Sequence, residues 1–237
     1  MMTFQTIQTE VNNEKVGILT LNRPDKRNAL SIQLRQEVSE CLKSWENSPE
    51  VGVVIITGSG TTFTAGFDLK EFSRPELMED VFNSSARYHR DVWNFSKPTI
   101  AAVNGPALGG GFDLATLCDL RICSESSLFG HPEIKFGAPP LFTPLRWIVG
   151  EGLARDLCLT GRRIDANDAR RIGLVSEIAG DGNLMDRAIQ IAKIILEAPL
   201  ATLQYTKGYI AGNSGLGFEE SFAIEHDKAF KDLLIKK

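Results

Sequence analysis

At 237 residues, with 43% hydrophobic and 24% charged side chains, this chain can bury a full core without disulfide or metal staples. A net charge of -4 argues against the clustered basic face that a nucleic-acid surface needs. No apolar run approaches the roughly 20 residues of a membrane span. The four cysteines, Cys41, Cys118, Cys123 and Cys158, show no metal-ligand spacing and sit in apolar patterns. Buried thiols in a reducing compartment, the cytoplasm, are expected, and the N-terminus lacks the basic and apolar regions of a signal peptide. His89, His131 and His226 form no ligand cluster in sequence, so no metal is expected.

Residues 4–9 and 15–21 read as two strands joined at an Asn12-Asn13 turn. Ser31 is placed to cap a helix running to about Asn47, with Leu34, Val38, Cys41, Leu42 and Trp45 on one face. Arg35 and Lys43 set against Glu37, Glu40 and Glu46 make that helix near neutral, which again disfavours RNA. Residues 51–57 form an apolar strand, 75–94 a loosely patterned helix, 100–103 a strand, 110–117 a helix and 120–123 a strand. Short helices follow over 145–149 and 152–159. Asp165 caps a helix that stops at Gly173, and 174–178 is a strand. Helices alone follow, over 184–196, 201–211 and 218–231. Early alternation of strands and helices implies βα units. The division is a core over 1–180 and a helical region over 181–237.

The most informative stretch joins the strand 100–103, the turn Asn104-Gly105-Pro106 and the triplet Gly109-Gly110-Gly111, which opens a helix. Each glycine costs a helix up to about 1 kcal/mol relative to alanine. The triplet makes sense where a ligand must approach the backbone, because a helix start carries unpaired N–H groups and the positive dipole end. That is oxyanion-hole geometry. Tight helix–strand packing is the structural alternative. A phosphate loop is disfavoured, since neither Gly-Lys-Ser/Thr nor an opening G-x-G-x-x-G is present. Asp113 lies three residues after Gly110. A second acid, Glu133, follows in Phe129-Gly130-His131-Pro132-Glu133, 20 residues after Asp113.

Together with Arg23-Pro24-Asp25-Lys26-Arg27-Asn28-Ala29-Leu30 and Phe63-Thr64-Ala65-Gly66-Phe67-Asp68-Leu69, these segments resemble the crotonase (enoyl-CoA hydratase/isomerase) superfamily from about Val16 to Ile178. The resemblance implies an α/β fold, a crotonase-like spiral of ββα repeats, with a C-terminal helical region that drives assembly into a homotrimer or homohexamer. It implies an acyl-CoA thioester as substrate, with no separate cofactor. It assigns the oxyanion hole to the backbone N–H groups of Phe67 and Gly110, and proton transfer at the α-carbon to Glu133. Asp113 stands where hydratases carry a second glutamate that helps hold the water. It further implies that Lys26, Arg27 and Ala29 grip the pyrophosphate and pantetheine arm, that the backbone of Ala65 and Asp68 approaches the adenine, and that Lys70, after Leu69, meets a phosphate.

Four departures from the family pattern stand out. Most members carry a small residue in place of Phe67, and the ring is expected to reshape the acyl pocket. Aspartate at position 113 occurs in dienoyl-CoA isomerases, but these add a further aspartate where this chain has Leu141. The loop after Gly137 is shorter, Pro-rich and apolar, so Leu141, Phe142 and Trp147 are expected to wall an apolar acyl pocket. In the family an Asp-x-x-Glu-Gly-x-x-Ala-Phe segment covers the active site, and this sequence reaches Lys237 without it. Enoyl-CoA hydration is the first expectation and Δ3,Δ2-enoyl-CoA isomerisation the second. An inactive or RNA-binding member of the superfamily is the remaining alternative.

Overall fold

The computed structural model describes residues 3–180 and 182–212, together with positions 215, 220, 224, 228 and 232. The expected helix over 218–231 falls largely outside these residues. The elements begin with the antiparallel pair β1 (Ile7–Val11) and β2 (Val16–Leu21), followed by α1 (Ile32–Glu46) and β3 (Val53–Gly58). Next come α2 (Leu69–Phe72), α3 (Met78–Asn94), β4 (Thr99–Val103), β5 (Ala107–Leu108), α4 (Gly110–Leu117), β6 (Leu120–Ser124) and β7 (Leu128–Gly130). The rest is α5 (Phe142–Val149), α6 (Glu151–Thr160), β8 (Arg163–Asp165), α7 (Ala166–Arg171), β9 (Glu177–Ala179), α8 (Leu184–Leu196) and α9 (Leu200–Gly212).

Among the described residues the strands form two sheets. The larger has the order β1-β2-β3-β4-β6-β9 and is parallel from β2 onward. All residues of β3 and β4 are buried, as expected for parallel strands covered on both faces. Strand alternation divides β3 between two cores. Val54 and Ile56 join Leu34, Val38, Leu42 and Phe112 on one side, while Val53 and Ile55 meet Leu184, Ala188 and Ala192 of α8 on the other. The small alanines, spaced one turn apart, let α8 lie close to the sheet. The apolar residues Ile189, Ile195 and Leu196 pack on this same face of their own sheet. The large apolar groups left exposed here are Ile194 and Ile210.

The smaller sheet has the order β5-β7-β8, and single parallel bridges extend it from Ala107 to Thr64 and from Phe67 to Leu30. Its strands are two or three residues long, too short to show a period, and none was expected from the sequence. The strand expected over 174–178 begins only at Glu177, with Leu174 and Val175 as buried loop. The first strand lies at 7–11 rather than 4–9. The helix caps were read correctly. Ser31 accepts from the Leu34 N–H and Asp165 from the Asp168 N–H, each satisfying an orphan donor at a helix start.

Two charged residues of α1, Arg35 and Glu37, are buried. Arg35 donates to the Leu30 carbonyl and to Ser84 Oγ, and burial lowers its basicity. Glu37 accepts from the Thr6 N–H and hydroxyl at 2.8 and 2.7 Å, tying β1's approach to α1.

Candidate active site

The segment Thr64 to Asp68 is stitched to the turn before α1. Leu30 N–H donates to the Gly66 carbonyl at 2.8 Å and Ala65 N–H to the Arg27 carbonyl at 3.0 Å. Buried Asn28, in a left-handed conformation, donates to the Ser59 and Thr62 carbonyls, and Arg23 pairs with Asp68 at 2.9 Å. These links bring the loop holding Lys26, Arg27 and Ala29 beside the segment holding Ala65, Asp68, Leu69 and Lys70. Lys26, Arg27, Ala65, Leu69 and Lys70 are exposed, whereas Asp68 is occupied by Arg23 and by capping α2.

Two glycines set the next approach. Gly66 has φ +94° and Gly109 φ +54°, values that favour glycine. A Cβ on Gly66 would come 2.7 Å from the Leu108 carbonyl oxygen and 3.3 Å from the Gly110 nitrogen. The chain on either side of Phe67 is therefore pressed against the start of α4. Among the described residues, neither the Phe67 nor the Gly110 amide donates a hydrogen bond. Two adjacent segments thus present free N–H groups, one of them at a helix start.

Phe67 departs from a small residue, and its ring lies over Gly110. A Cβ there would meet the ring at 3.0 Å. Phe72 packs edge-on to that ring at 5.9 Å, and the Arg35 guanidinium carbon lies 4.7 Å from its centroid. The ring is held between a buried cation and the glycine backbone.

Glu133 sits in a 3-10 turn opened by Pro132, which fixes the turn's first φ. A Cβ on Gly109 would come 3.0 Å from Glu133 Oε2, so the carboxylate lies directly against the glycine start of α4. Its Oε1 is bonded to His131 Nδ1 at 2.8 Å. Asp113, one turn into α4, places Oδ1 3.9 Å from the same Nδ1 and Oδ2 3.9 Å from His89 Nε2. The structure therefore brings Glu133, Asp113, Phe67 and Gly110 together.

It adds His89 and His131, which the sequence reading considered only as metal ligands and found to form no ligand cluster; they lie 42 residues apart on separate elements. The i, i+2 spacing of His131 and Glu133 across a proline was the available signal. His226 lies outside the described residues. Among the described residues, no group of three or more His, Cys, Asp or Glu is placed to hold a metal ion.

Asp113 Oδ1, His131 Nε2 and Glu133 Oε2 are buried with no hydrogen-bond partner among the described residues. Such atoms are costly unless a ligand or water meets them. Burial pushes the Cys158 thiol, near both acids, up to about 11, so it offers no thiolate nucleophile at neutral pH. Burial likewise drives the Tyr88 phenol well above its usual range. Leu141 and Phe142, at the start of α5, are half-buried against the main core. The α3–α5 seam is closed by Trp93 and Trp147, whose rings are 5.5 Å apart.

This architecture is that of a crotonase-fold enzyme. A solved structure described as enoyl-CoA hydratase from Bacillus anthracis superposes with a TM-score of 0.93 at 31% identity, covering 98% of this chain and 92% of the other. The chain belongs to the enoyl-CoA hydratase/isomerase family, whose model matches residues 11–232. Curated relatives include a probable mitochondrial enoyl-CoA hydratase of Dictyostelium discoideum, 37% identical over 94% of this chain and 81% of its own. A probable enoyl-CoA hydratase of Rhizobium meliloti is 36% identical over 94% of this chain and 88% of its own. No described helix is long and apolar enough to cross a membrane.

Proposed function

We propose that this enzyme hydrates a 2-enoyl-CoA to the 3-hydroxyacyl-CoA. The observation that carries the reading is the pair of free amides, Phe67 and Gly110, set beside a carboxylate oxygen, Glu133 Oε2, that is buried and unpartnered. The thioester oxygen accepts from both amides. As water oxygen bonds to C3, the C2=C3 electron pair moves onto the thioester and the oxygen becomes an enolate. Fixed donors favour that charged state over the ground state, each by roughly 3–4 kcal/mol. Glu133 delivers a proton to C2, and the proton released by the water returns to the carboxylates. His131, bonded to Oε1, keeps Oε2 turned toward the reacting carbon. Asp113 Oδ1 is the second acceptor for the water.

Lys26, Arg27 and Lys70 meet the phosphates of CoA, the backbone of Ala29, Ala65 and Asp68 meets its pantetheine and adenine, and Leu69, Leu141 and Phe142 border the acyl group. The exposure of the basic side chains and the backbone bond from the Ala65 N–H to the Arg27 carbonyl support this placement. CoA is part of the substrate, and the chemistry needs no resident cofactor.

Double-bond isomerisation is the second reading. It is favoured by Asp113, whose carboxylate is set back by one methylene from that of a glutamate, because isomerisation adds no water and needs only the hole and one carboxylate. A product assay with crotonyl-CoA and a 3-enoyl-CoA side by side separates the two. Hydration yields a product one water heavier from crotonyl-CoA. Isomerisation yields a 2-enoyl-CoA from the 3-enoyl substrate and leaves crotonyl-CoA unchanged.

The enzyme acts in the cytoplasm as a homotrimer or homohexamer, with the region over 181–237 contributing to assembly. Exposed Phe136 and Leu159, 82% and 75% accessible in the isolated chain, support a subunit contact near the site. Light scattering at micromolar concentration is expected to return a trimer or hexamer mass, and a stable monomer contradicts this.

A further inference from the structure

His89 lies outside the segments that carry the family resemblance, and its place on α3 gives it a defined orientation. Its Nδ1 lies 2.7 Å from the Ser85 carbonyl oxygen, one turn back. A carbonyl oxygen only accepts, so Nδ1 carries the hydrogen and donates it. The ring is also fixed laterally, edge-on to Tyr88 at 5.2 Å and tilted to Phe67 at 6.1 Å. Nε2 is thereby aimed at Asp113 Oδ2, 3.9 Å away, and the two side chains are only 20% and 9% exposed. At 3.9 Å the pair lies within ion-pair range but beyond hydrogen-bond length, so His89 acts on the Asp113 carboxylate by charge when its imidazole carries the second proton. The other imidazole near Asp113, that of His131, gives its Nδ1 to Glu133 at 2.8 Å and stays 3.9 Å from Asp113 Oδ1.

We propose that His89 is a positioning residue for Asp113: it holds Oδ2 from the α3 side and leaves Oδ1 turned toward the reacting water. An aspartate is one methylene shorter than a glutamate and reaches less far. A carboxylate so set back acts only if its orientation is fixed, since misplacement by about 1 Å costs on the order of 100-fold in rate. This inference rests on the proposed role of Asp113 in hydration.

His89→Phe keeps a ring against Tyr88 and Phe67 and removes both nitrogens. It is expected to lower kcat for crotonyl-CoA hydration by about 10- to 100-fold while KM changes by less than about twofold. His89→Gln carries an amide N–H to the place of Nε2 but no charge, and is expected to be as slow as His89→Phe. Should His89→Phe melt early, His89→Asn keeps a group toward Ser85, empties the Nε2 place and carries the same expectation.

Because His89 acts through Asp113, His89→Phe added to Asp113→Asn is expected to cause no further loss. If Asp113→Asn is slow but His89→Phe, or its Asn substitute, turns over normally, the positioning role is wrong and the hydratase reading stands. A multiplicative loss in the double variant, or His89→Gln as fast as the native enzyme, also overturns it. If Asp113→Asn itself hydrates normally, the role of Asp113 fails, and that of His89 with it.

Discussion

In the six-stranded sheet, β3 and β4 are buried throughout and apolar packing covers both faces, Val54 and Ile56 on one side and Val53 and Ile55 on the other. Beside the three-stranded sheet the chain does the reverse. Its glycines at 66 and 109 hold positive φ values, and among the described residues the Phe67 and Gly110 amides donate to nothing, while Asp113, His131 and Glu133 each keep a buried polar atom unpartnered. The first region invests its sequence in stability. The second leaves hydrogen-bonding capacity unused for a ligand, which costs stability in the free protein. Substitutions should therefore separate: in the small-sheet region they lower turnover, and in the large sheet they lower the melting point.

The largest effect on rate is expected from Glu133→Gln. It keeps the shape of the side chain but cannot exchange the proton, and turnover should fall by on the order of 10²–10⁴ on every enoyl-CoA tested. Thermal melting should change little, because Oε2 has no partner to lose. Retained turnover would remove Glu133 from the chemistry whichever reaction is the true one. Gly110→Pro deletes one N–H donor and should cost roughly 10²–10³ in turnover, with melting curves used to confirm that the variant is folded. Asp113→Asn sharpens the comparison within the site. In a hydratase the loss should approach that of Glu133→Gln, whereas in an isomerase it should be much smaller.

Ile55→Ala probes the other region. Ile55 is fully buried against α8, and its truncation should cost about 2–5 kcal/mol of stability, read by chemical denaturation. At temperatures where the variant stays folded, kcat should hold near the native value, and a large drop would mean that the two regions are not separable. The smallest effect concerns Glu37. Burial opposes its ionisation, but the hydrogen bonds from Thr6, Gln5 and Gln33 outweigh it and hold the carboxyl below its usual value. A depressed folded pKa contributes stability that is present above the unfolded value and is lost as pH falls through the folded one. Thr6→Val, which removes the hydroxyl donor, should lower the melting temperature by about 2–4 °C at neutral pH and less under acid conditions. An equal drop at both pH values would show that the contact is not linked to ionisation.

The contrast also explains what the sequence made legible. The large sheet and α1 were readable because apolar runs and caps are local signals: Val53 to Ile56, the stripe from Leu34 to Trp45, and the caps Ser31 and Asp165. The burial of Arg35 was not legible, because the sequence does not show that Ser84, Glu71 and the Phe67 ring surround it. β5 and β7 were invisible because Ala107–Leu108 and Leu128–Gly130 are too short for alternation. Of the site, the glycines and both acids were readable through the motifs. The histidines were not, since the convergence of His89 from α3 and His131 from the loop after β7 on Asp113 exists only in the folded chain.

The central claim is that Phe67 and Gly110 form an oxyanion hole with Glu133 beside it. It is tested most directly by a crystal structure with butanoyl-CoA, a saturated thioester that cannot be hydrated. The account predicts the thioester oxygen about 2.7–3.1 Å from both amide nitrogens, with the acyl α-carbon next to the Glu133 carboxylate. A thioester oxygen that lies away from both amides, in a folded and active enzyme, contradicts it.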